Sequence, residues 1–276
     1  MFRKYIYKIL TKNAQSSEHA DYLYKLKKKE ISIRIIQIAI LFSFFAVWQI
    51  LANFEFINTF LFSSPSKIAS LFLEMCQKGE MFHHIRITLT ENIIGFTGGT
   101  IIGIIVSIIL WWSNFLYEIV EPYIVILNSV PKIALGPVII VWMGNNSSAI
   151  IVMALAISVI VTIMMLINGF HEVEENKIKL LKTLGANKQQ ILRKVILPAS
   201  IPTIFAALKV SVGLSLVGTI VGEFLVSKAG LGYLIVYGGQ VFNLNLVMTS
   251  LIILSIIAAL MYYLVLLLEK YFIKWD

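Results

Sequence analysis

Residues 149–170 read AIIVMALAISVIVTIMMLINGF, an apolar run without a single charged side chain. A helix rises about 1.5 Å per residue, so a run of this length covers about 30 Å, the thickness of the hydrocarbon core of a bilayer. Such a run predicts a helix that crosses a membrane. We therefore expect membrane-spanning helices to set the fold.

Further apolar runs predict five more spans around this one. They occupy residues 35–54, 92–117, 122–143, 201–222 and 244–268. Pro131 and Lys132 interrupt the third of the six predicted spans, and Lys209 lies within the fifth. The whole chain is 58% hydrophobic and only 14% charged, whereas soluble domains carry about 25% charged residues. The predicted fold is therefore all-α, a polytopic membrane protein with six transmembrane helices.

The basic residues indicate the orientation of these spans. Of the 23 Lys and Arg residues, 17 fall in the two ends and in alternate loops, and 4 fall in the opposite loops. Because basic residues are enriched on the cytoplasmic side, both termini are predicted to be cytoplasmic in a multi-pass cell-membrane protein. Residues 1–34 then form a basic cytoplasmic tail, and residues 35–276 form the transmembrane domain. This distribution also argues against nucleic acid as the reason for the net charge of +8.

The motifs of common enzymes and cofactor sites are absent from the sequence. It contains neither the phosphate-binding loop G-x-x-x-x-G-K-[ST] nor the nucleophile motif G-x-S-x-G. Adjacent His83 and His84 point in different directions on a helix, so we expect surface or interfacial histidines and no metal site. Cys76 is the single cysteine and excludes an internal disulfide. The predicted spans carry no paired carboxylates. We therefore expect no catalytic residues, cofactor or metal.

The charged segment between the fourth and fifth spans, residues 172–197, predicts two short helices joined by a sharp turn. Glu174 and Glu175 suit the start of the first helix. Gly185 can end that helix in the left-handed conformation without steric cost. Asn187 then predicts an N-cap with Gln190 as its capping-box partner. Pro198 is expected to stop the second helix.

Each of these short helices carries an apolar stripe that a solvated loop does not need. The first stripe consists of Ile178, Leu181 and Leu184. The second consists of Ile191, Leu192, Val195 and Ile196. The stripes predict that the segment docks either onto a partner protein or onto the membrane ends of its own chain.

The sequence resembles the permeases of binding-protein-dependent ABC importers, in the branch that imports sulfonates, taurine, nitrate and thiamine-precursor pyrimidines. The resemblance covers about residues 88–270. Its motifs are Leu184-Gly185-Ala186, Val195-Ile196-Leu197-Pro198 followed by Pro202, Ser129 to Pro137 with Pro131 and Lys132, Trp142-Met143-Gly144, and Glu223 followed by Gly230-Leu231-Gly232-Tyr233-Leu234-Ile235.

This resemblance implies a type I importer permease fold and a set of partners. It implies two copies of an ABC ATPase, an extracytoplasmic solute-binding protein, and a second permease copy in a homodimer. The 172–197 segment would be the loop that couples the permease to the ATPase. Its coupling residues would be Leu181, Leu184, Gly185, Ala186, Ile191, Val195 and Pro198. The family usually has Glu-Ala-Ala where this chain has Lys179-Leu180-Leu181, so the glutamate that helps to fix the docked loop is missing.

Several residues within the spans invite a structural or a functional interpretation. Gly95, Gly99 and Gly103 are spaced by four and predict one helix face in close contact with a neighbour, either within the chain or between subunits. Charged residues inside spans suggest a solute pathway, although lysines can also reach an interface. The candidate pathway residues are Pro131, Lys132, Lys209 and Glu223. Glu223 is alternatively a gate or one half of a structural ion pair.

The functional hypothesis is a non-catalytic permease subunit that moves a small solute by alternating access while separate subunits hydrolyse ATP. A self-contained secondary transporter is the main alternative, and it predicts inverted repeats and buried acidic ion sites. A membrane scaffold without transport is a third. The sequence leaves the substrate open between an anion, such as a sulfonate or nitrate, and a neutral pyrimidine.

Overall fold

The computed structural model of the chain describes residues 16–273, and every regular element within that range is helical. The helices are α1 (Ser17–Asn53), α2 (Thr59–Phe62), α3 (Pro65–Gln77), α4 (Glu80–Trp112), α5 (Asn114–Ser129), α6 (Gly136–Met143), α7 (Ser147–His171), α8 (Glu175–Thr183), α9 (Lys188–Ile191), α10 (Leu197–Ala199), α11 (Ile201–Val226), α12 (Leu231–Gln240) and α13 (Leu244–Phe272). A 3₁₀ turn, Lys132–Leu135, precedes α6, and a π-helical turn, Leu192–Ile196, lies between α9 and α10.

Five of these helices are long and apolar enough to cross a membrane, namely α1, α4, α7, α11 and α13. The remaining predicted span, the third, at residues 122–143, is not straight. The chain bends by 91° between α5 and the Lys132–Met143 stretch. The bend follows from Pro131, which has no N–H to donate and forces the preceding Val130 into extended backbone, with φ −66° and ψ 133°.

The second predicted span is also displaced along the chain. It was expected to run to residue 117, but α4 begins at Glu80 and ends at Trp112. Ser113 is extended, and its side chain accepts a hydrogen bond from the N–H of Leu116 at 3.2 Å, which starts α5. A serine is a preferred N-cap, so this single residue divides what the apolar run alone suggested was one helix.

The described part of the chain falls into two compact units, residues 16–67 and 68–273. The first unit is dominated by α1, a helix of 37 residues, about 55 Å long at 1.5 Å per residue. The helix continues past residue 34 without a break, so residues 17–34 of the predicted basic tail share one helix with the first span, and residues 1–15 of that tail lie outside the described residues. Gln49 on α1 accepts a hydrogen bond from the N–H of Ser66 at 2.9 Å.

Three long helices, α4, α7 and α11, form the centre of the second unit. The small residues of α4 allow close approach to α7: a Cβ added at Gly95, Gly99 or Gly103 would lie 2.5–2.6 Å from a side-chain atom of Ala154, Ser158 or Thr162, respectively. The glycines spaced by four thus meet residues spaced by four on α7 of the same chain. Their close approach is therefore an intramolecular helix contact.

Helix α11 packs on α7 in the same manner. A Cβ at Gly218 would lie 2.5 Å from the Cα of Ala154. Ala154 is therefore enclosed between glycines of two neighbouring helices. Short polar side chains add hydrogen bonds between these helices, including Thr162 to Ser211 at 2.7 Å. Close packing of small residues and such hydrogen bonds stabilise helix pairs where no hydrophobic effect distinguishes helix from lipid.

Candidate functional site

The 172–197 segment has the caps that the sequence predicted. Gly185 has a φ of +79° and ends α8 in the left-handed conformation. The N–H of Ala186 donates to the carbonyl oxygen of Leu181 at 2.9 Å, and the N–H of Gly185 donates to that of Lys182 at 3.0 Å. These two bonds define a Schellman motif. The segment therefore has a fixed turn between α8 and α9.

The next helix begins with the predicted capping box. The side chain of Asn187 accepts from the N–H of Gln190 at 2.9 Å, and the N–H of Asn187 donates to the side chain of Gln190 at 2.8 Å. The two residues thereby satisfy donors that a helix start otherwise leaves free. The Schellman motif and the capping box follow each other directly, and they set the angle between the two short helices.

Most of the apolar residues of the segment dock onto the membrane helices of their own chain. Ile191, Leu192 and Ile196 are buried, and Ile178 and Leu181 pack against the same cluster. The cluster also contains buried residues from the ends of α4 and α7: Leu110, Trp111, Ile163, Leu166, Ile167 and Phe170. The segment was predicted to dock either on a partner protein or on the membrane ends of its own chain. This apolar face docks on the membrane ends of its own chain.

Leu184 does not belong to this face, which corrects the predicted first stripe. It is the C-cap of α8, with φ −83° and ψ 6°, and the turn at Gly185 leaves its side chain 74% exposed. Leu180, one turn earlier, is 61% exposed. Two large apolar side chains beside a rigid turn are thus available to a partner, whereas Leu181 is occupied within the chain.

Lys188 attaches the segment to the end of α4, a contact that the sequence did not indicate. Its Nζ donates to the carbonyl oxygen of Trp112. The same atom lies 5.7 Å from the ring centroid of Trp111 and 5.8 Å from that of Trp112. A cation at a helix C-terminus and over indole rings is favourable on both counts. Lys188 therefore joins α9 to a membrane-spanning helix.

Pro198 does not end the second helix of the segment, contrary to the prediction. The chain passes from α9 through the π-helical turn into α10, and Pro198 occupies the first turn of α10. A proline is tolerated there because its missing N–H would have no helical partner. The interruption falls instead at Ser200, whose φ is −91° and ψ is 2°, immediately before α11.

Pro131 and Lys132, two of the predicted pathway residues, have local structural roles at the bend after α5. Lys132 extends its Nζ back along α5 and donates to the carbonyl oxygen and the side-chain oxygen of Asn128, at 2.9 and 3.1 Å. It thereby caps the end of α5. Pro131 is exposed at the corner itself.

Lys209, the charged residue of the fifth predicted span, has an acidic partner. Its Nζ lies 2.9 and 3.0 Å from the two side-chain oxygens of Glu269, near the end of α13. The side chains are 23% and 22% exposed. The sequence did not predict this pair because 60 residues separate its members. Glu269 therefore neutralises the positive charge that made Lys209 a candidate pathway residue.

Glu223 is held by neutral donors. Its Oε1 accepts from the hydroxyl of Thr88 at 2.6 Å, and its Oε2 accepts from the N–H of Gly232 at 2.5 Å. The predicted ion pair is absent: within residues 16–273, no basic side chain forms an ion pair with Glu223. The carboxyl instead supports the turn before α12, where a Cβ at Gly230 would lie 2.4 Å from its Cδ.

The first amides of α12 are all accepted by side chains of α4 and α11. The N–H of Gly230 donates to Nδ1 of His84 at 2.9 Å, and that of Leu231 donates to Oγ1 of Thr88 at 2.8 Å. The third, the N–H of Gly232, donates to Oε2 of Glu223. These are donors that a helix start leaves unsatisfied. His84 is thus a structural cap, which refines the expectation of a surface histidine.

Glu91 is a buried acidic residue that the sequence did not indicate. It lies on α4, is 3% exposed, and interacts electrostatically with Glu223. The expectation that the spans lack paired carboxylates is therefore wrong. The predicted span began at Asn92 and left Glu91 outside it, whereas α4 begins at Glu80. Within residues 16–273, no group of three metal-ligating side chains forms a metal site.

Comparisons with known proteins point to a single family. The sequence pattern of the family described as "Binding-protein-dependent transport system inner membrane component" matches residues 99–275. The matched range includes the bend at Pro131, the 172–197 segment and Glu223.

Individual relatives cover most of the chain. The permease protein SsuC of Bacillus subtilis, named for aliphatic sulfonate transport, is 29% identical over 231 residues, 83% of each chain. RibX of Chloroflexus aurantiacus, named as a riboflavin transport system permease, is 27% identical over 229 residues, 83% of this chain and 85% of RibX. Among solved structures, a chain of the inward-facing MetNI methionine ABC transporter superposes with a TM-score of 0.64 at 22% identity, covering 70% of this chain and 96% of that chain.

Proposed function

The chain belongs to the family of binding-protein-dependent transport system inner membrane components, and from this membership we propose that it is the permease subunit of an ATP-driven importer of a small solute. The match over residues 99–275 carries the proposal, since it includes the 172–197 segment. The resemblance stated from the sequence motifs is thereby confirmed. The fold of the MetNI chain agrees with it.

We propose that an ABC ATPase subunit docks on the 172–197 segment. The exposed side chains of Leu180 and Leu184 offer it apolar contacts beside the turn at Gly185. Ala186 and Ile191 pack within the chain beside that turn. Val195 is half-buried in the π-helical turn, and Pro198 lies in α10, which leads to α11. Movement of the ATPase would reach α4 through Lys188 and α11 through the helical path across Ser200.

The remaining partners follow from the family. A second copy of the chain completes the pathway in a homodimer, because one copy supplies one half of a symmetric channel. An external solute-binding protein delivers the solute, and the spans alternate between inward and outward openings. Both termini and the 172–197 segment lie in the cytoplasm, and residues 1–34 form a basic cytoplasmic tail, of which residues 17–34 belong to α1.

The substrate is a small solute whose class is fixed mainly by the binding protein. SsuC is named for aliphatic sulfonates and RibX for riboflavin, so relatives of similar identity differ in the charge of their solute. The lysines within the spans give less support to an anion than their sequence positions suggested. Lys209 is paired with Glu269, and Lys132 is bonded to its own helix. The bend at Pro131 remains the proposed lining of the pathway.

Two observations also suit the alternative, a self-contained secondary transporter. The span broken at Pro131 and the buried pair Glu91 and Glu223 resemble the discontinuous helices and acidic sites of ion-coupled carriers. Family membership favours the importer. The source of energy distinguishes the two functions, because a secondary transporter needs no ATPase.

Affinity purification of the tagged chain from its native membranes tests the proposal. We expect an ABC ATPase subunit to co-purify and the complex to hydrolyse ATP, while the chain purified alone hydrolyses none. An unrelated polytopic protein with the same tag is the control. Recovery of the chain without an ATPase, together with uptake driven by an ion gradient in vesicles free of ATP, would establish the alternative.

A further inference from the structure

Two carboxyl groups lie buried together at the junction of α4 and α11. Glu91 is 3% exposed and Glu223 is 1% exposed. The two groups interact electrostatically. Neither belongs to an ion pair recorded for residues 16–273. Two buried negative charges at close range repel each other strongly in a low dielectric, so both groups cannot stay ionised without a compensating positive charge.

The hydrogen bonds around Glu223 favour its charged form. The N–H of Leu231 donates to Oγ1 of Thr88, so the hydroxyl hydrogen of Thr88 is directed to Oε1 of Glu223. The N–H of Gly232 occupies Oε2. Donors aimed at both oxygens stabilise a carboxylate and offer no acceptor to a carboxylic acid.

Glu91 is in the opposite situation. Neither of its carboxyl oxygens makes a hydrogen bond of normal geometry in the described part of the chain, although the hydroxyl of Ser147, at the start of α7, is near enough to interact with it. An ionised carboxylate without donors is very costly to bury. A carboxylic acid is neutral and can donate its own proton towards the neighbouring carboxylate. The pair is therefore asymmetric, because Glu223 accepts two formed hydrogen bonds and Glu91 accepts none of normal geometry.

We propose that Glu91 and Glu223 form a buried proton-binding site, in which Glu91 carries the proton and Glu223 is the carboxylate that faces it. The site is built by α4, by α11 and by the first turn of α12. It goes beyond the importer function and does not depend on it, since its residues and contacts lie within one chain.

The polar neighbours His84 and Asn92 supply no positive charge to the pair. A bound proton is therefore the positive charge that can neutralise it. His84 accepts the N–H of Gly230 on Nδ1, so that nitrogen carries no proton. Asn92 directs its amide to Ser215 and Thr219 on α11, away from the acids. A metal ion would need several oxygen ligands, and both oxygens of Glu223 already accept protein donors. A proton needs only the free oxygens of Glu91.

Infrared spectroscopy of the purified full-length protein tests the proposal. A protonated carboxyl gives a carbonyl stretching band above the amide I band, and a carboxylate does not. At neutral pH we expect this band in the unmodified protein, its loss in Glu91→Gln, and its retention in Glu223→Gln, where Glu91 is still buried. Glu74→Gln, at an exposed position on α3, is the control and should leave the band unchanged.

Thermal unfolding in detergent completes the test. Glu91→Gln preserves the shape of the side chain and replaces the shared proton with an amide donor, so its melting temperature should match that of the unmodified protein. Sodium chloride and choline chloride should give equal melting temperatures. Absence of the band from the unmodified protein would overturn the proposal, as would its loss only in Glu223→Gln. A sodium-dependent rise in melting temperature that Glu91→Gln abolishes would also overturn it, in favour of a metal ion.

Discussion

Lys209 of α11 and Glu269 of α13 form an ion pair, with Nζ 2.9 Å from Oε1. Both side chains are about three-quarters buried. The pair connects the fifth and last spans, and it explains how a lysine is accommodated within an apolar run. Because Glu269 neutralises Lys209, this charge is part of the structure of the helix bundle. Its position within a span does not require contact with a transported solute.

Breaking the pair on one side should destabilise the protein more than removing both charges. Lys209→Met leaves Glu269 unpaired, and Glu269→Gln leaves Lys209 unpaired. Each should lower the free energy of unfolding by about 1–3 kcal/mol, less than for a fully buried pair because both side chains are partly exposed. The double variant should recover about half of the summed loss. Thermal or denaturant unfolding in detergent measures all four proteins. Strictly additive losses would show that the two residues do not interact.

A methyl group at Gly95 should separate α4 from α7. The Cβ of Gly95→Ala would meet the Cβ of Ala154 at 2.5 Å, and Ala154 cannot retreat because Gly218 of α11 lies on its other side. Overpacking of this kind lowers the free energy of unfolding by about 1–3 kcal/mol. The matched control is Gly213→Ala in α11, where nothing lies within 4 Å of the added Cβ. The control should be neutral or slightly stabilising; equal losses in both variants would contradict the packing described.

Single cysteines should report the orientation of the chain. Cys76 is first replaced by Ala, since it is the only native thiol. Gln189→Cys, exposed on α9, should react only with reagents that enter the cytoplasm. Asn145→Cys, exposed in the turn before α7, should react in intact cells with a reagent that cannot cross the membrane. Labelling of position 189 from outside would reverse the topology derived from the charge distribution.

The features that the sequence predicted well depend on neighbouring residues. Apolar runs predicted the spans, and the caps at Gly185 and Asn187 follow from residue types at fixed spacing. The bend at Pro131 is equally local, because proline excludes the helical conformation of the residue before it. Each of these features requires only the chemistry of a few consecutive residues.

Most of the features that the sequence did not indicate depend on contacts distant in sequence. Lys209 and Glu269 are 60 residues apart, and Thr88 and Glu223 are 135 apart. The charge-free run begins only after Glu91, although a charged residue can belong to a span once another helix covers it. Leu184 was misplaced because the turn at Gly185 changes the direction of the chain just after it.

Substitution of Gly185 should alter the turn without unfolding the chain. Its φ of +79° strains any residue with a Cβ by about 1 kcal/mol, yet nothing lies within 4 Å of the added atom. Gly185→Ala and Gly185→Asp should therefore reach the membrane in normal amounts. Gly185→Asp also adds a charge beside the exposed leucines, so it should lower ATPase co-purification and uptake more than Gly185→Ala does. Full function in both variants would mean that the turn is only a connector.

The central claim is tested most directly by the amount of ATPase subunit retained per permease in Leu184→Glu. Leu181 packs within its own chain, so a charge there would disturb the fold, whereas Leu184 is 74% exposed. Leu73→Glu on α3, at a leucine that is 59% exposed, is the matched control and should retain the ATPase. We predict an unchanged amount of Leu184→Glu in the membrane and a fall in retained ATPase of about tenfold, the effect of losing about 1.4 kcal/mol of binding free energy. Full retention of the ATPase by Leu184→Glu, and likewise by Leu180→Glu, would contradict the assignment of this segment as the coupling site.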